Sequence, residues 1–452
     1  MQSTAPERSV LKAMAAATPE SRDRYVDLLR ALSIAVVVLG HWLMAIVYLR
    51  DGRLVGDSAL DVVPGLWALT WVLQVMPVFF FVGGFSNLVA WRSVRRRGES
   101  YAAFMRSRTA RLIRPTLVFV LAWTATAGVL ATFVPRSLEA LAEGTELLAK
   151  PLWFLAVYVL VVALAPTMIS LHERFGGRVL LGLAGAAVVV DILRIAFEVP
   201  AVGFLNFACV WLFAHQLGFF YADGTLTRIS RRVFAGGAAG ALALLAILTG
   251  SGIYSPSMVG MVTERASNNS PPSICLIVLT VWLVCAAMLA RPAITRWLQR
   301  PRAWMAVVAA NSMIMTVFLW HLTALLVAAL VLLPNGFPQP RGGTALWWTW
   351  RPAWIGALSL ILAVFVVVFG RFERPPPAAN ASGVQMTRRT VVVGVAALVA
   401  GLAGFAQFGF AHMDVPSSVA TLLSQPLLDA ALVLVGYRLL TLPARRSIGG
   451  AR

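Results

Sequence analysis

The chain has 452 residues, of which 59 % are hydrophobic and only 13 % are charged. This charged fraction is about half that of an average soluble domain, and it is too small to cover the surface of a soluble protein. The composition therefore excludes an ordinary soluble enzyme and a disordered chain, and it indicates an all-α, polytopic membrane protein.

Apolar runs of about 20 residues, the length that a membrane-spanning helix needs, recur along the chain. Ten of them are predicted to be membrane spans, and together they form a predicted membrane domain over 25–372. These spans are 31–49, 65–90, 113–134, 151–170, 178–197, 202–221, 233–250, 272–290, 306–333 and 351–370.

The chain after this domain contains a break and further apolar residues. Segment 373–389 is rich in Pro and Ala and is predicted to be a linker, because consecutive prolines stop a helix. An eleventh apolar run, 390–411, follows the linker, and a twelfth, 419–437, is interrupted by polar residues. We therefore expect one or two additional transmembrane helices within 390–437, followed by a basic tail over 438–452.

The net charge of +19 would suit either a nucleic-acid-binding protein or a membrane protein with basic loops. The 38 Lys and Arg residues fall mostly in alternate loops between the predicted spans, beginning with the N-terminal segment 1–24. Cytoplasmic loops of membrane proteins are enriched in Lys and Arg. We therefore predict a multi-pass protein of the cell membrane with a cytoplasmic N-terminus, with membrane lipid and no nucleic acid among its partners.

The first predicted span carries ionisable residues, which are costly in a bilayer and often mark functional sites. Asp27 lies three residues before Arg30 and can pair with it, and His41 lies eleven residues after Arg30. Eleven residues make three helical turns plus about 20°, so these side chains share one helix face, with a rise of about 16 Å. Since a neutral imidazole can accept a proton near neutral pH, the pattern favours a general base at His41 over a purely structural histidine.

Arginines precede the third predicted span at a spacing of three. They are Arg108, Arg111 and Arg114, and Pro115 follows them. Arginine presents paired donors that match phosphate oxygens. The spacing favours a site for a phosphorylated donor over the alternative, which is positive charge that sets topology and attracts anionic lipid.

Other residues of the spans carry weaker signals. Paired glycines at 83 and 84 permit close backbone approach or a broken helix beside a cavity. Trp153 opens the fourth span, where aromatic residues commonly form an interfacial belt. His321 lies in the ninth span at a depth similar to that of His41. Asp191 and Arg194, three residues apart, favour a structural ion pair, and no motif predicts a metal site.

Taken in order, these motifs resemble the membrane-bound acyltransferase 3 family over about residues 22–370. The chain departs from the family pattern at Gly83, where many members carry Ser. The segments that carry the resemblance are Asp27 to His41, Phe79 to Phe85, Arg108 to Pro115, Trp153-Phe154-Leu155 and Trp320-His321.

The resemblance implies a ten-helix core that moves an acyl group, often acetyl, from cytosolic acyl-CoA to an extracytoplasmic carbohydrate, glycolipid or envelope polymer. Acyl-CoA would be a cosubstrate, and no bound cofactor is expected. The catalytic residues would be His41, Arg30 and Asp27. The donor-binding residues would be Arg108, Arg111, Arg114 and Gly84. The acceptor-binding residues would be His321, Trp320 and Trp153.

Two other functions are compatible with the same residues. A proton-coupled transporter or lipid flippase would use His41, Asp191 and His321 as a proton relay. A catalytically inactive scaffold of an envelope-assembly complex would need none of them. The shared helix face of Arg30 and His41 favours the acyltransferase.

Overall fold

A computed structural model describes residues 19, 22–133, 138–260, 267–373, 387–411 and 419–441, and most of them are helical. The α-helices are, in chain order, α1 (Arg24–Met44), α2 (Ala59–Val62), α3 (Thr70–Leu73), α4 (Met76–Arg96), α5 (Tyr101–Phe133), α6 (Leu138–Ala149), α7 (Leu152–Phe175), α8 (Arg178–Ile195), α9 (Asn206–Ala222), α10 (Thr225–Arg228), α11 (Arg231–Gly250), α12 (Ile274–Trp297), α13 (Pro301–Ser312), α14 (Ile314–Leu332), α15 (Ala345–Phe369), α16 (Arg388–Phe408) and α17 (Val419–Thr441). Short 3₁₀ turns occur at Leu66–Leu69, Pro200–Leu205 and Gly370–Glu373.

Ten helical segments within the described ranges are long and apolar enough to cross a membrane. The protein is therefore an all-α polytopic membrane protein, as the composition predicts. Helix α16, which follows the predicted linker, is one of the ten. The predicted spans 178–197 and 419–437 also form helices, α8 and α17, but neither is among the ten.

The first predicted span ends earlier than expected. Helix α1 stops at Met44, and residues 45–49, predicted as helix, belong to strand β1 (Ala45–Arg50), which pairs antiparallel with β2 (Arg53–Ser58). The two residues between the strands, Asp51 and Gly52, both have positive φ, at 51° and 74°. Asp-Gly is a preferred pair for such a two-residue hairpin turn. The prediction of helix over 45–49 was wrong because it rested on the apolar run alone, and these residues form a strand of the hairpin instead.

Two further predicted spans are broken. The run 65–90 contains a break at Gln74 and Val75, after which α4 continues to Arg96. The run 306–333 is interrupted at Met313, between α13 and α14. Pro77 in the first turn of α4 is typical of a helix start and marks the first break. The second break has no glycine or proline beside it, so the local sequence gives little warning of it.

Glu373, the first residue of the predicted linker, has a defined position. Its carboxylate accepts hydrogen bonds from the backbone N–H groups of Met315 and Thr316, both at 3.0 Å, and from the Thr316 hydroxyl at 2.8 Å. A carboxylate at a helix N-terminus satisfies orphan donors and the helix dipole. Glu373 therefore caps the first turn of α14, while residues 374–386 of the predicted linker lie outside the described residues.

Contacts divide the chain into two compact units. The first comprises Met1–Val89, Thr167–Ile314 and Val327–Ser359, and the second comprises Ala90–Pro166, Met315–Leu326 and Leu360–Arg452. Within the first unit, α1 packs against α13, and α11 packs against α12. Within the second unit, α17 packs against both α16 and α5.

Candidate active site

The N-terminal end of α1 carries a buried carboxylate with two cationic partners. Asp23 caps the helix by accepting from the backbone N–H groups of Tyr25 and Val26. The buried Asp27 carboxylate accepts from Arg30 Nη1 at 3.1 Å and also from Arg22 Nε. The predicted pairing of Asp27 with Arg30 is therefore present.

Arg30 also reaches a hydroxyl on a second helix. Its Nη2 donates to Ser86 Oγ of α4 at 2.8 Å. The guanidinium is thus held between a carboxylate and a hydroxyl, which fixes its orientation. The sequence analysis does not predict this contact of Ser86, which lies one helical turn after Gly83.

Helices α4 and α9 cross in close contact beside this hydroxyl. A Cβ atom added at Gly84 would overlap the backbone carbonyl of His215, and one added at Gly218 would overlap the carbonyl of Phe81. Close to the crossing, Asn87 Nδ2 donates to His215 Nε2 at 2.9 Å, and both side chains are fully buried. Helix packing accounts for glycine at position 84, and its predicted part in donor binding stays a prediction.

His41 lies in the last turn of α1, on the same continuous helix as Arg30. The residue is half-buried, and its carbonyl accepts from the N–H of Ala45, the first residue of β1. The helix therefore joins the Arg30 end directly to the hairpin, with His41 one turn before the junction.

A second arginine caps this end of α1. Arg351 Nη1 donates to the carbonyls of Ala45 at 3.2 Å and Trp42 at 3.4 Å, and its Cζ lies 3.5 Å from the ring centroid of Trp347. A cation at a helix C-terminus is stabilised by the helix dipole. Arg351 opens the tenth predicted span, and nothing in the sequence indicates this contact with α1.

The second unit contains the predicted donor-binding arginines. Arg108, Arg111 and Arg114 lie on the continuous helix α5, so their spacing of three does place them along one side of a helix. The Arg114 guanidinium lies 5.9 Å from the ring centroid of Phe372, and the charge of Arg111 acts on the Glu373 carboxylate.

The same unit contains the predicted acceptor-binding residues. His321 is fully buried, and its Nδ1 lies 2.6 Å from the carbonyl of Phe318, which assigns the ring proton to Nδ1. Trp320 stacks on the rings of Phe369 and Phe365, at centroid distances of 4.0 and 5.0 Å. Trp153 contacts Phe154 edge-on at 6.2 Å. These contacts explain the packing of all three side chains, and their part in acceptor binding stays a prediction.

Comparison with known protein families shows which family the chain belongs to. Residues 23–370 match the profile of the acyltransferase 3 family, described as an acyltransferase domain. The chain belongs to the acyltransferase 3 family. The match runs from the residue that caps α1 to the 3₁₀ turn after α15, and it leaves α16 and α17 outside. Comparison with curated proteins and with solved structures gave no match.

The ion pair of Asp191 with Arg194 in this acyltransferase is embedded in a larger polar network. The Asp191 carboxylate accepts from Asn206 Nδ2 at 2.9 Å, from Ile274 N–H at 2.8 Å and from the Tyr254 hydroxyl at 3.2 Å, while Arg194 lies at 3.5 Å. A carboxylate with this many donors is held in place, which supports the structural interpretation and argues against Asp191 as a mobile proton carrier.

A hydrogen-bonded network of polar side chains, centred on the buried His172, is not predicted by the sequence analysis. His172 Nε2 lies 2.9 Å from the Asp223 carboxylate, and His172 Nδ1 lies 2.8 Å from Gln216 Nε2. Burial opposes ionisation of Asp223, but hydrogen bonds from Thr225 and His172 outweigh it and hold the pKa of its carboxyl below the usual value. This hydrogen-bond network joins the C-terminal parts of α7 and α9 in the acyltransferase.

Proposed function

We propose that this acyltransferase is an O-acyltransferase of the cell membrane. It moves an acyl group, often acetyl, from cytosolic acyl-CoA to a hydroxyl of an extracytoplasmic carbohydrate, glycolipid or envelope component. The observation that supports this most strongly is the continuity of α1. One helix carries the Asp27–Arg30 pair at one end and His41 at the other, about 16 Å away on the same face.

In this proposal His41 is the general base. It takes the proton from the acceptor hydroxyl, whose oxygen attacks the carbonyl carbon of the thioester. The carbon–sulfur bond breaks, and the imidazolium returns its proton to the departing CoA thiolate. The products are the acylated acceptor and free CoA. Because Asp27 and Ser86 hold the Arg30 guanidinium, Arg30 serves to orient the donor.

The reaction can be distinguished from transport in sealed vesicles that contain the purified protein. Radiolabelled acetyl-CoA is supplied together with a glycolipid extract of bacterial envelopes, and base-labile label in the lipid fraction is measured. We expect label to enter the glycolipid only when protein is present. Uptake of a solute driven by a pH gradient, with acetyl-CoA unconsumed, would instead establish a transporter and contradict the proposal.

The proposed role of Arg111 in donor binding can be tested separately. Arg111→Gln is expected to raise KM for acetyl-CoA about 10- to 100-fold, since a hydrogen bond to a charged group contributes about 1.5–3 kcal/mol. The matched control is Arg95→Gln, because Arg95 is exposed at the end of α4 and has no assigned role.

A donor that lacks phosphate sharpens this measurement. Acetyl-pantetheine carries the same thioester without the nucleotide phosphates, so its KM should be unchanged by Arg111→Gln. Equal effects on both donors would show that Arg111 does not recognise phosphate.

A further inference from the structure

A cavity of about 470 Å³ lies against the hairpin that follows α1. Its volume is within the usual range for small-molecule sites. Its aromatic wall consists of Tyr48, Phe337, Trp347, Trp350 and Trp354. Flat aromatic rings of this kind offer faces on which the C–H surface of a sugar can pack.

The charges that line the cavity are unbalanced. Its cations are Arg50, Arg341 and Arg351, and Asp57 is its acidic residue. Asp57 already accepts a hydrogen bond from the Tyr48 hydroxyl at 3.1 Å. The cavity therefore carries a surplus of positive charge, which attracts an anion.

Arg351 is the most deeply placed of these cations, at 8 % exposed. Its hydrogen bonds to the described residues come from Nη1 alone and go to main-chain carbonyls, and no described carboxylate lies within ion-pair distance. Nε and Nη2 thus have no acceptor among the described residues. A buried guanidinium without an anionic partner is costly, and its fork of donors matches the oxygens of a phosphate or carboxylate.

We propose that this cavity binds the acceptor of the acyl transfer through an oxyanion, a phosphate or carboxylate carried by a sugar. Arg351 donates to the oxyanion, and the aromatic wall packs on the sugar. The proposal rests on the proposed function for the identity of the acceptor. The position fits that role, since Arg351 contacts the carbonyl of Trp42, the residue after His41.

Binding is measured by titration of the detergent-solubilised full chain, without acyl-CoA, with hexose 6-phosphates, hexuronates, the corresponding neutral hexosides and inorganic phosphate. The anionic sugars are expected to bind more tightly than either the neutral sugars or inorganic phosphate. Arg351→Gln should weaken binding of the anionic sugars about 10- to 100-fold and leave the neutral sugars unchanged. Equal affinity for neutral and anionic sugars in the wild type would overturn the proposal.

Because Arg351 also caps α1, a milder variant is included. Arg341→Gln removes another cation of the cavity and leaves the α1 cap intact, and it should weaken binding of the anionic sugars several-fold. Its matched control is Arg53→Gln in β2, at an exposed position outside the cavity lining. Anionic preference that survives in Arg341→Gln as fully as in Arg53→Gln would contradict recognition of the sugar by its negative charge.

Three further outcomes separate this inference from others. Vesicles of phosphatidylglycerol that bind in the cavity when the soluble anionic sugars do not would assign the oxyanion to a lipid headgroup and overturn the carbohydrate assignment. If the wild-type protein binds the anionic sugars but transfers no acyl group, the proposed function alone would be refuted. Acyl transfer at equal rates to neutral and anionic acceptors would refute this inference alone.

Discussion

His41→Gln is expected to lower the rate of acyl transfer about 10²- to 10⁴-fold, the usual contribution of a general base. Glutamine keeps the polarity and approximate size of the side chain but cannot take the acceptor proton. The measurement is initial transfer from radiolabelled acetyl-CoA to the envelope glycolipid at saturating donor.

Two controls make this result specific. The thermal unfolding midpoint of the variant and its affinity for acetyl-CoA should match those of the wild type, since His41 is half-buried and lies at the hairpin end of α1. If the variant forms product at the wild-type rate, His41 is not the base, whatever the family membership of the chain.

Gly84→Ala is expected to destabilise the protein by about 3 kcal/mol or more. The new methyl group would meet the backbone carbonyl of His215, and two crossing helix backbones cannot yield as a flexible side chain can. The same substitution at Gly182 of α8 is the matched control. A Cβ there meets no atom within 4 Å of the described structure, so alanine should stabilise its helix by up to about 1 kcal/mol.

Unfolding can be followed with a thiol-reactive dye. The free cysteines Cys209, Cys275 and Cys285 are buried or half-buried and become reactive as the helices separate. Opposite shifts of the midpoint are expected for the two alanine variants. A lower midpoint for Gly182→Ala than for Gly84→Ala would contradict the close crossing of α4 and α9.

The sequence predicted what depends on spacing within one helix. Asp27 pairs with Arg30 because i,i+3 neighbours meet on any α-helix, and Arg108, Arg111 and Arg114 share one helix because no break intervenes. The membrane class could be predicted from composition, because a chain with so few charged residues and such long apolar runs cannot form a polar surface in water.

Contacts between distant segments were beyond the sequence argument. Ser86 meets Arg30 across 56 positions, and Arg351 meets Trp42 across 309. Nothing local distinguishes such residues from other serines and arginines, so only packing reveals them. The hairpin was missed for a different reason. The sequence contains the Asp51-Gly52 pair, which is typical of a hairpin turn, but the span was predicted from the apolar run instead.

The absence of any connecting residue between α1 and β1 constrains how the acceptor cavity can diversify. Met44 ends the helix and Ala45 begins the strand, so one residue inserted there would turn each side chain of β1 to the opposite face. Residues added at the tip of the hairpin would leave that alternation intact. New acceptor preferences in related chains should therefore arise by remodelling at the tip, while the helix-to-strand joint keeps its length.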